Sequence, residues 1–193
     1  NGEAYVRSKI QPLFPKKTKL SFDRASWSET TRAEGNFEGN LVRCWQGYLY
    51  PENNTVKVWA EILQEFTSLC QEYYPYVWAD IEFWTGKIAQ VSVAATAFAH
   101  RSQLFDVGIA VLVPADKKNA HNLFREITEK SDIMWSKVSK HVVGSYTNYQ
   151  MESLSKAEYA RTYWGHNLQR LQMVKAKYDP GNTFRHEQSV PLP

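Results

Sequence analysis

The sequence has few cysteines, no long apolar run and no concentration of charge of one sign, and each shortage removes a class of function. Two cysteines in 193 residues, Cys44 and Cys70, allow at most one internal disulfide, and their spacing has no metal-ligand pattern. The longest apolar stretch, Val107 to Val113, suits a strand and falls far short of the roughly 20 residues that a membrane-spanning helix needs. A formal charge of +3 is spread along the chain, with one short cluster at Lys16, Lys17 and Lys19, so the basic stripe that would track a nucleic-acid backbone is missing. There is no glycine-rich phosphate loop, no G-x-S-x-G turn, no internal repeat and no low-complexity segment. No second histidine stands at metal-ligand spacing from His100, which reads as structural. Neither a metal, a nucleic acid nor a membrane is therefore expected as a partner. A chain with a site-like cluster and no cofactor motif reads as a binding module or as part of an enzyme.

Aromatic residues are abundant. Seven Trp, eleven Tyr and nine Phe exceed what a plain core requires and suit a large apolar cleft or an extensive interface. With 43% hydrophobic and 22% charged residues, the length supports one sizeable core. The first residues, Asn1-Gly2-Glu3-Ala4, carry neither an initiator Met nor a signal-peptide pattern, so a processed or excised product is expected. Asn53-Asn54-Thr55 makes Asn53 a glycosylation acceptor in a secretory pathway, which points toward an extracellular setting.

Taken in order, residues 1 to 15 carry Pro12 and Pro15 and little apolar periodicity, and read as an extended arm. Phe22 to Trp27 and Leu41 to Tyr50 have strand composition, with a loop from Glu34 to Asn40 between them. Val56, Trp59, Ile62, Leu63, Phe66 and Leu69 recur at helical spacing, which predicts a helix of about eighteen residues capped by Asn54 or Thr55 and ended near Pro75. Cys70 falls on its apolar face as a buried thiol. In the next strand, Tyr76 to Trp84, Val77, Ala79, Ile81 and Phe83 share one face; Trp78, Asp80, Glu82 and Trp84 share the other. Two carboxylates between two indoles suit a cleft with polar partners, or an edge strand that faces water. A buried strand from Leu104 to Val113 and a helix from Asp116 to Lys137 follow. Two closing helices span Lys156 to Trp164 and Leu168 to Tyr178, the last with Leu168, Leu171, Val174 and Tyr178 as its inner stripe. This order predicts an α+β fold, an antiparallel sheet covered by helices on one side.

Between the Asp116 to Lys137 helix and the two closing helices, Gly144-Ser145-Tyr146-Thr147-Asn148-Tyr149 packs two phenols and an amide into four residues. Its composition predicts a central strand, with Tyr146 and Asn148 on one face and Tyr149 on the other or swung round at the strand's end. The cluster is either a site or ordinary strand packing.

Three segments carry a family resemblance. Ile81-Glu82-Phe83-Trp84-Thr85-Gly86-Lys87-Ile88 with Thr96 to Arg101, the Tyr146-x-Asn148-Tyr149 motif, and the run from Tyr163-Trp164-Gly165-x-Asn167-x-x-Arg170 to Asp179-Pro180-x-Asn182-x-Phe184-Arg185-x-x-Gln188-Ser189 resemble berberine bridge enzyme-like, FAD-linked oxidoreductases of the vanillyl-alcohol oxidase type. The resemblance runs from Asp80 to the C-terminus. It implies a substrate domain over residues 31–193, with the berberine-like segment at about 144–193, and an arm over residues 1–30 packed on a partner flavin domain. FAD would be held mainly by that companion domain or chain, cleaved from the same precursor or separately encoded, along with any covalent attachment. It further implies Tyr149 as catalytic base, Tyr146 and Asn148 against the flavin, and Glu82 as an acidic active-site residue able to pair with Tyr149. Asp80, Glu82 and Trp78 would bind a mono- or oligosaccharide, because carboxylates bind hydroxyls and indole faces stack on sugar rings. The implied activity is oxidation of an alcohol by a secreted two-chain assembly, with this chain inactive alone. A natural-product tailoring oxidase and a noncatalytic carbohydrate-binding or structural descendant are the alternatives. Two details depart from the family pattern: Gln150-Met151-Glu152 follows the tyrosine motif, and Phe83-Trp84-Thr85-Gly86 stands where P-Y-G-G is usual.

Overall fold

The computed structural model describes residues 4, 7, 8 and 39–193. The chain divides into one unit before Gly39 and a second from Gly39 to Pro193, and the second contains the fold. The expected arm over residues 1–30 and the strand at Phe22 to Trp27 lie outside the described residues, apart from those three positions.

Among the described residues, three antiparallel strands form one sheet: β1 (Asn40–Leu49), β2 (Val77–Phe83) and β3 (Phe105–Pro114), in the order β1-β3-β2. The apolar run of β3 places it in the middle, where both of its edges are paired. Helices α1 (Val56–Tyr73) and α2 (Ala120–Val138) cover one face. Thr55 caps α1, its hydroxyl accepting the Val58 N–H at 3.3 Å. The register puts Trp45, Val107, Ile109, Val111 and Val77 on that covered face, where they meet Ile62, Phe66, Ile127, Met134 and Trp135. Each such side chain contributes about 1.5–3 kcal/mol by leaving water. The predicted α+β architecture is the observed one.

Two short helices, α3 (Tyr159–Trp164) and α4 (Leu168–Tyr178), close the chain. Tyr159, Ala160, Tyr163 and Trp164 form a second core with Leu154, Leu168, Leu171 and Val190. The expected inner stripe of α4 is only half correct. Leu168 and Leu171 pack inward, but Val174 and Tyr178 are exposed, because the neighbouring elements cover only the N-terminal half of the helix.

A second correction concerns Tyr146-Thr147-Asn148-Tyr149, which is a turn and not a central strand. Ladder pairing ends at a single bridge between Val143 and Tyr48. Gly144 then takes φ +73°, a left-handed conformation that breaks an extended run, and the Tyr149 N–H closes back on the Tyr146 carbonyl at 3.0 Å. A Cβ on Gly144 would lie 2.1 Å from the His100 ring, so the glycine is also what lets the turn approach His100.

Candidate active site

The uncovered face of the sheet holds the alternate residues of the same three strands. Cys44, Gln46 and Tyr48 come from β1, Asp106, Gly108 and Ala110 from β3, and Trp78, Asp80 and Glu82 from β2. The register sets Tyr48 and Glu82 on either side of Asp106, and Gln46 and Asp80 on either side of Gly108. The Tyr146–Tyr149 turn stands against this face, so the turn and the acidic strand, far apart in sequence, meet in one place.

Rings line the junction. Tyr149 lies edge-on to Tyr146 with centroids 5.8 Å apart, and Tyr146 lies edge-on to Trp84 at 5.1 Å. Trp84 continues to Phe98 and Tyr48, and Tyr48 lies 4.7 Å from His100. Asn148 donates from Nδ2 to the Tyr146 hydroxyl at 2.8 Å, which fixes both side chains of the turn. His100 is structural, as its isolation in sequence implied. Its ring nitrogens meet the Thr162 carbonyl and the Tyr50 hydroxyl, and burial pulls its pKa down.

Three carboxylates, Asp80, Glu82 and Asp106, share this face, and none forms an ion pair among the described residues. Glu82 accepts the indole N–H of Trp84 at 2.7 Å. Partial desolvation and the charge of Glu82 raise Asp80. Asp106 is only 2% exposed; burial first, then Glu82 and Asp80, push it up to about 8. Its Oδ2 accepts from the Gln46 amide, while Oδ1 and the nearby Tyr48 hydroxyl have no hydrogen-bond partner among the described residues.

Tyr149 is 41% exposed, and its phenol is pushed up by burial and then by Glu82, Asp80, Cys44 and Asp106. The turn therefore brings the expected base and the expected carboxylates together, with Glu82 hydrogen-bonded to Trp84 and not to the phenol. A phenol whose pKa is raised rests protonated, so it can accept a proton only as it passes its own to a neighbour. Trp78 is 64% exposed at the edge of the described sheet, its N–H on the Pro75 carbonyl. The strand is thus an edge strand of the described sheet with Trp78 and Asp80 exposed, as the edge-strand reading expects, while Glu82 is half-buried against the Trp84 indole. Asn53 donates its Nδ2 to the His141 carbonyl at 2.9 Å; a glycan would replace one amide hydrogen and leave the other for that bond. Cys44 and Cys70 carry free thiols on opposite sides of the sheet.

Sequence reasoning missed Gln46, Tyr48 and Asp106. Asp106 had left a signal, as the only charged residue in the apolar run from Leu104 to Val113. Gln46 and Tyr48 left none, since only the strand register places them beside it.

The C-terminal motif builds the frame around the site. Asn167 donates from Nδ2 to the carbonyls of Val93 and Thr96, and Arg170 donates to Ala94, which holds the connection that carries Phe98 and His100. Tyr163 accepts the Met151 N–H and donates to Gln188, while Gln188 returns a bond to the Met151 carbonyl, anchoring the chain just after the turn.

Comparison with known proteins agrees. The family model described as "Berberine and berberine like" matches residues 145–191. Berberine bridge enzyme-like 19 of Arabidopsis thaliana is 35% identical over 121 residues, covering 55% of this chain and 21% of that protein. A chitooligosaccharide oxidase of Gibberella zeae is 30% identical over 116 residues, covering 58% of this chain and 24% of that protein. In three dimensions, a carbohydrate oxidase from Microdochium nivale superposes with a TM-score of 0.69 at 19% identity, over 97% of this chain and 43% of that one. The chain thus resembles berberine bridge enzyme-like, FAD-linked oxidoreductases, carries their berberine-like segment, and has their fold. It spans between a fifth and a quarter of the length of these curated relatives.

Proposed function

We propose that this chain is the substrate domain of an FAD-dependent oxidase that oxidises an alcohol of a mono- or oligosaccharide, with FAD held mainly by a companion domain or chain. The observation that carries the proposal is that the turn bearing Tyr149, tied to Gln46 by the Tyr146 N–H, stands at the sheet face of Asp80, Glu82 and Asp106, which no helix covers among the described residues. The face suits a flat, hydrogen-bonding ring: it combines the exposed rings of Trp78 and Tyr149 with the accessible carboxylate of Asp80. Tyr146 and Asn148 would lie against the cofactor. When bound, FAD supplies the acceptor for the hydride.

The residues of this chain handle the proton and the substrate's position. Tyr149 takes the hydroxyl proton of the alcohol as its own proton passes to a neighbouring carboxylate, which keeps a phenol of raised pKa serviceable near neutrality. Asp80 and Glu82 accept hydrogen bonds from sugar hydroxyls, and the open indole of Trp78 offers a stacking face. The two-chain assembly, its secretion and a glycan at Asn53 complete the proposal. Among the described residues, no helix is long and apolar enough to cross a membrane.

The test is anaerobic mixing. The assembly of this chain with its companion should be yellow and should bleach when an oligosaccharide is added. A colourless chain with no companion would contradict the proposal and favour a noncatalytic binding role. Bleaching by aromatic alcohols alone would favour natural-product tailoring.

A further inference from the structure

Gln46 is held at both ends of its side-chain amide. Its Oε1 accepts the backbone N–H of Tyr146 at 3.0 Å, and its Nε2 donates to Asp106 Oδ2. A backbone N–H can only donate, so the carbonyl end of the amide must face Tyr146 and the NH2 end must face Asp106. Asp106 Oδ2 is then an acceptor whatever the charge of the acid. We propose that Gln46 is a positioning residue that ties the Tyr146–Tyr149 turn to the sheet and confines the carboxyl proton of Asp106 to Oδ1.

Several observations support this. Gln46 and Asp106 are both buried, so water does not compete for their bond. Oδ1 is buried and has no partner among the described residues, so the neutral acid presents there a donor that none of them receives. The charged and titratable groups near Asp106 are Tyr48 from β1, Asp80 and Glu82 from β2, and Tyr149 from the turn. The two carboxylates oppose a further negative charge and keep the proton in place. Oδ1 is closed off from solvent, so this donor is held inside the fold beneath the open face.

The test uses the 193-residue chain and two NMR signals: exchange of the Tyr146 amide, and titration of the Asp106 carboxyl carbon. Gln46→Leu removes both bonds, so the Tyr146 amide should exchange at least about tenfold faster and the Asp106 midpoint should rise by about one pH unit. Gln46→Glu keeps an acceptor for Tyr146 but loses the donor to Asp106. Protection of Tyr146 should survive while the Asp106 midpoint rises at least as far. A packing role alone would move both signals together in both variants, and that result, or an Asp106 midpoint unmoved in either, overturns the proposal. If Gln46→Leu does not fold, Gln46→Glu decides alone. Neither signal involves flavin, so failure of the oxidase reading leaves this inference standing, and failure here leaves that reading open to its own test.

Discussion

The same three strands present two faces that differ at every second residue, and the difference separates what holds the protein together from what it can do. On the covered face, Trp45, Val107, Ile109 and Val111 are buried against two helices, and the one polar side-chain atom among them, the Trp45 indole N–H, is satisfied by Asp132 Oδ1 at 2.8 Å. On the open face, Gln46, Tyr48, Asp106, Asp80 and Glu82 stand at the alternate positions, where Asp106 Oδ1 and the Tyr48 hydroxyl are buried without a partner among the described residues. Leaving such groups unpaired costs stability, typically about 1–3 kcal/mol each. A sheet that leaves a buried carboxyl oxygen and a buried phenol unpaired side by side on its open face has concentrated polar chemistry there, which is the usual mark of a site.

Substitutions on the two faces should behave differently. The largest loss of stability is expected from Ile109→Ala on the covered face: about 2–5 kcal/mol in denaturant unfolding, with little effect on the open face. Asp106→Asn should act in the opposite direction. The folded-state pKa of Asp106 is raised to about 8, above its unfolded value, so its contribution is complete below about pH 4 and is lost as the pH rises toward 8. Asparagine mimics the neutral acid. The variant should therefore match the parent near pH 4 and exceed it by at least about 1 kcal/mol near pH 8, read from thermal unfolding across that range. Equal stability at both ends would mean that Asp106 is ionised in the fold. The smallest effect is expected from Trp78→Ala, within about 0.5 kcal/mol, because the indole is 64% exposed. Its role would appear only as weaker substrate binding by the assembled enzyme.

The covered face was legible in the sequence because its signals are periodic. The spacing from Val56 to Leu69 gave α1, and the apolar run gave β3, each to within a residue or two. The open face was legible only in pieces. Alternation placed Asp80 and Glu82 together, but nothing local showed that Gln46, sixty residues from Asp106, would hold it. The Tyr146–Tyr149 cluster was found as residues and misread as a strand. Tyrosine and threonine favour strands, yet the left-handed Gly144 decides the backbone there. The most recognisable motif, from Tyr163 to Gln188, is largely scaffold: its Asn167, Arg170 and Gln188 make backbone hydrogen bonds that fix the connection and the turn.

The central claim is that the open face is reactive through Tyr149. The most direct measurement is the rate of flavin reduction by substrate in the assembled enzyme carrying Tyr149→Phe, which removes one hydroxyl and leaves the ring against Tyr146. A rate lowered at least about a hundredfold with flavin still bound is expected. An undiminished rate would place the proton acceptor elsewhere and contradict the account.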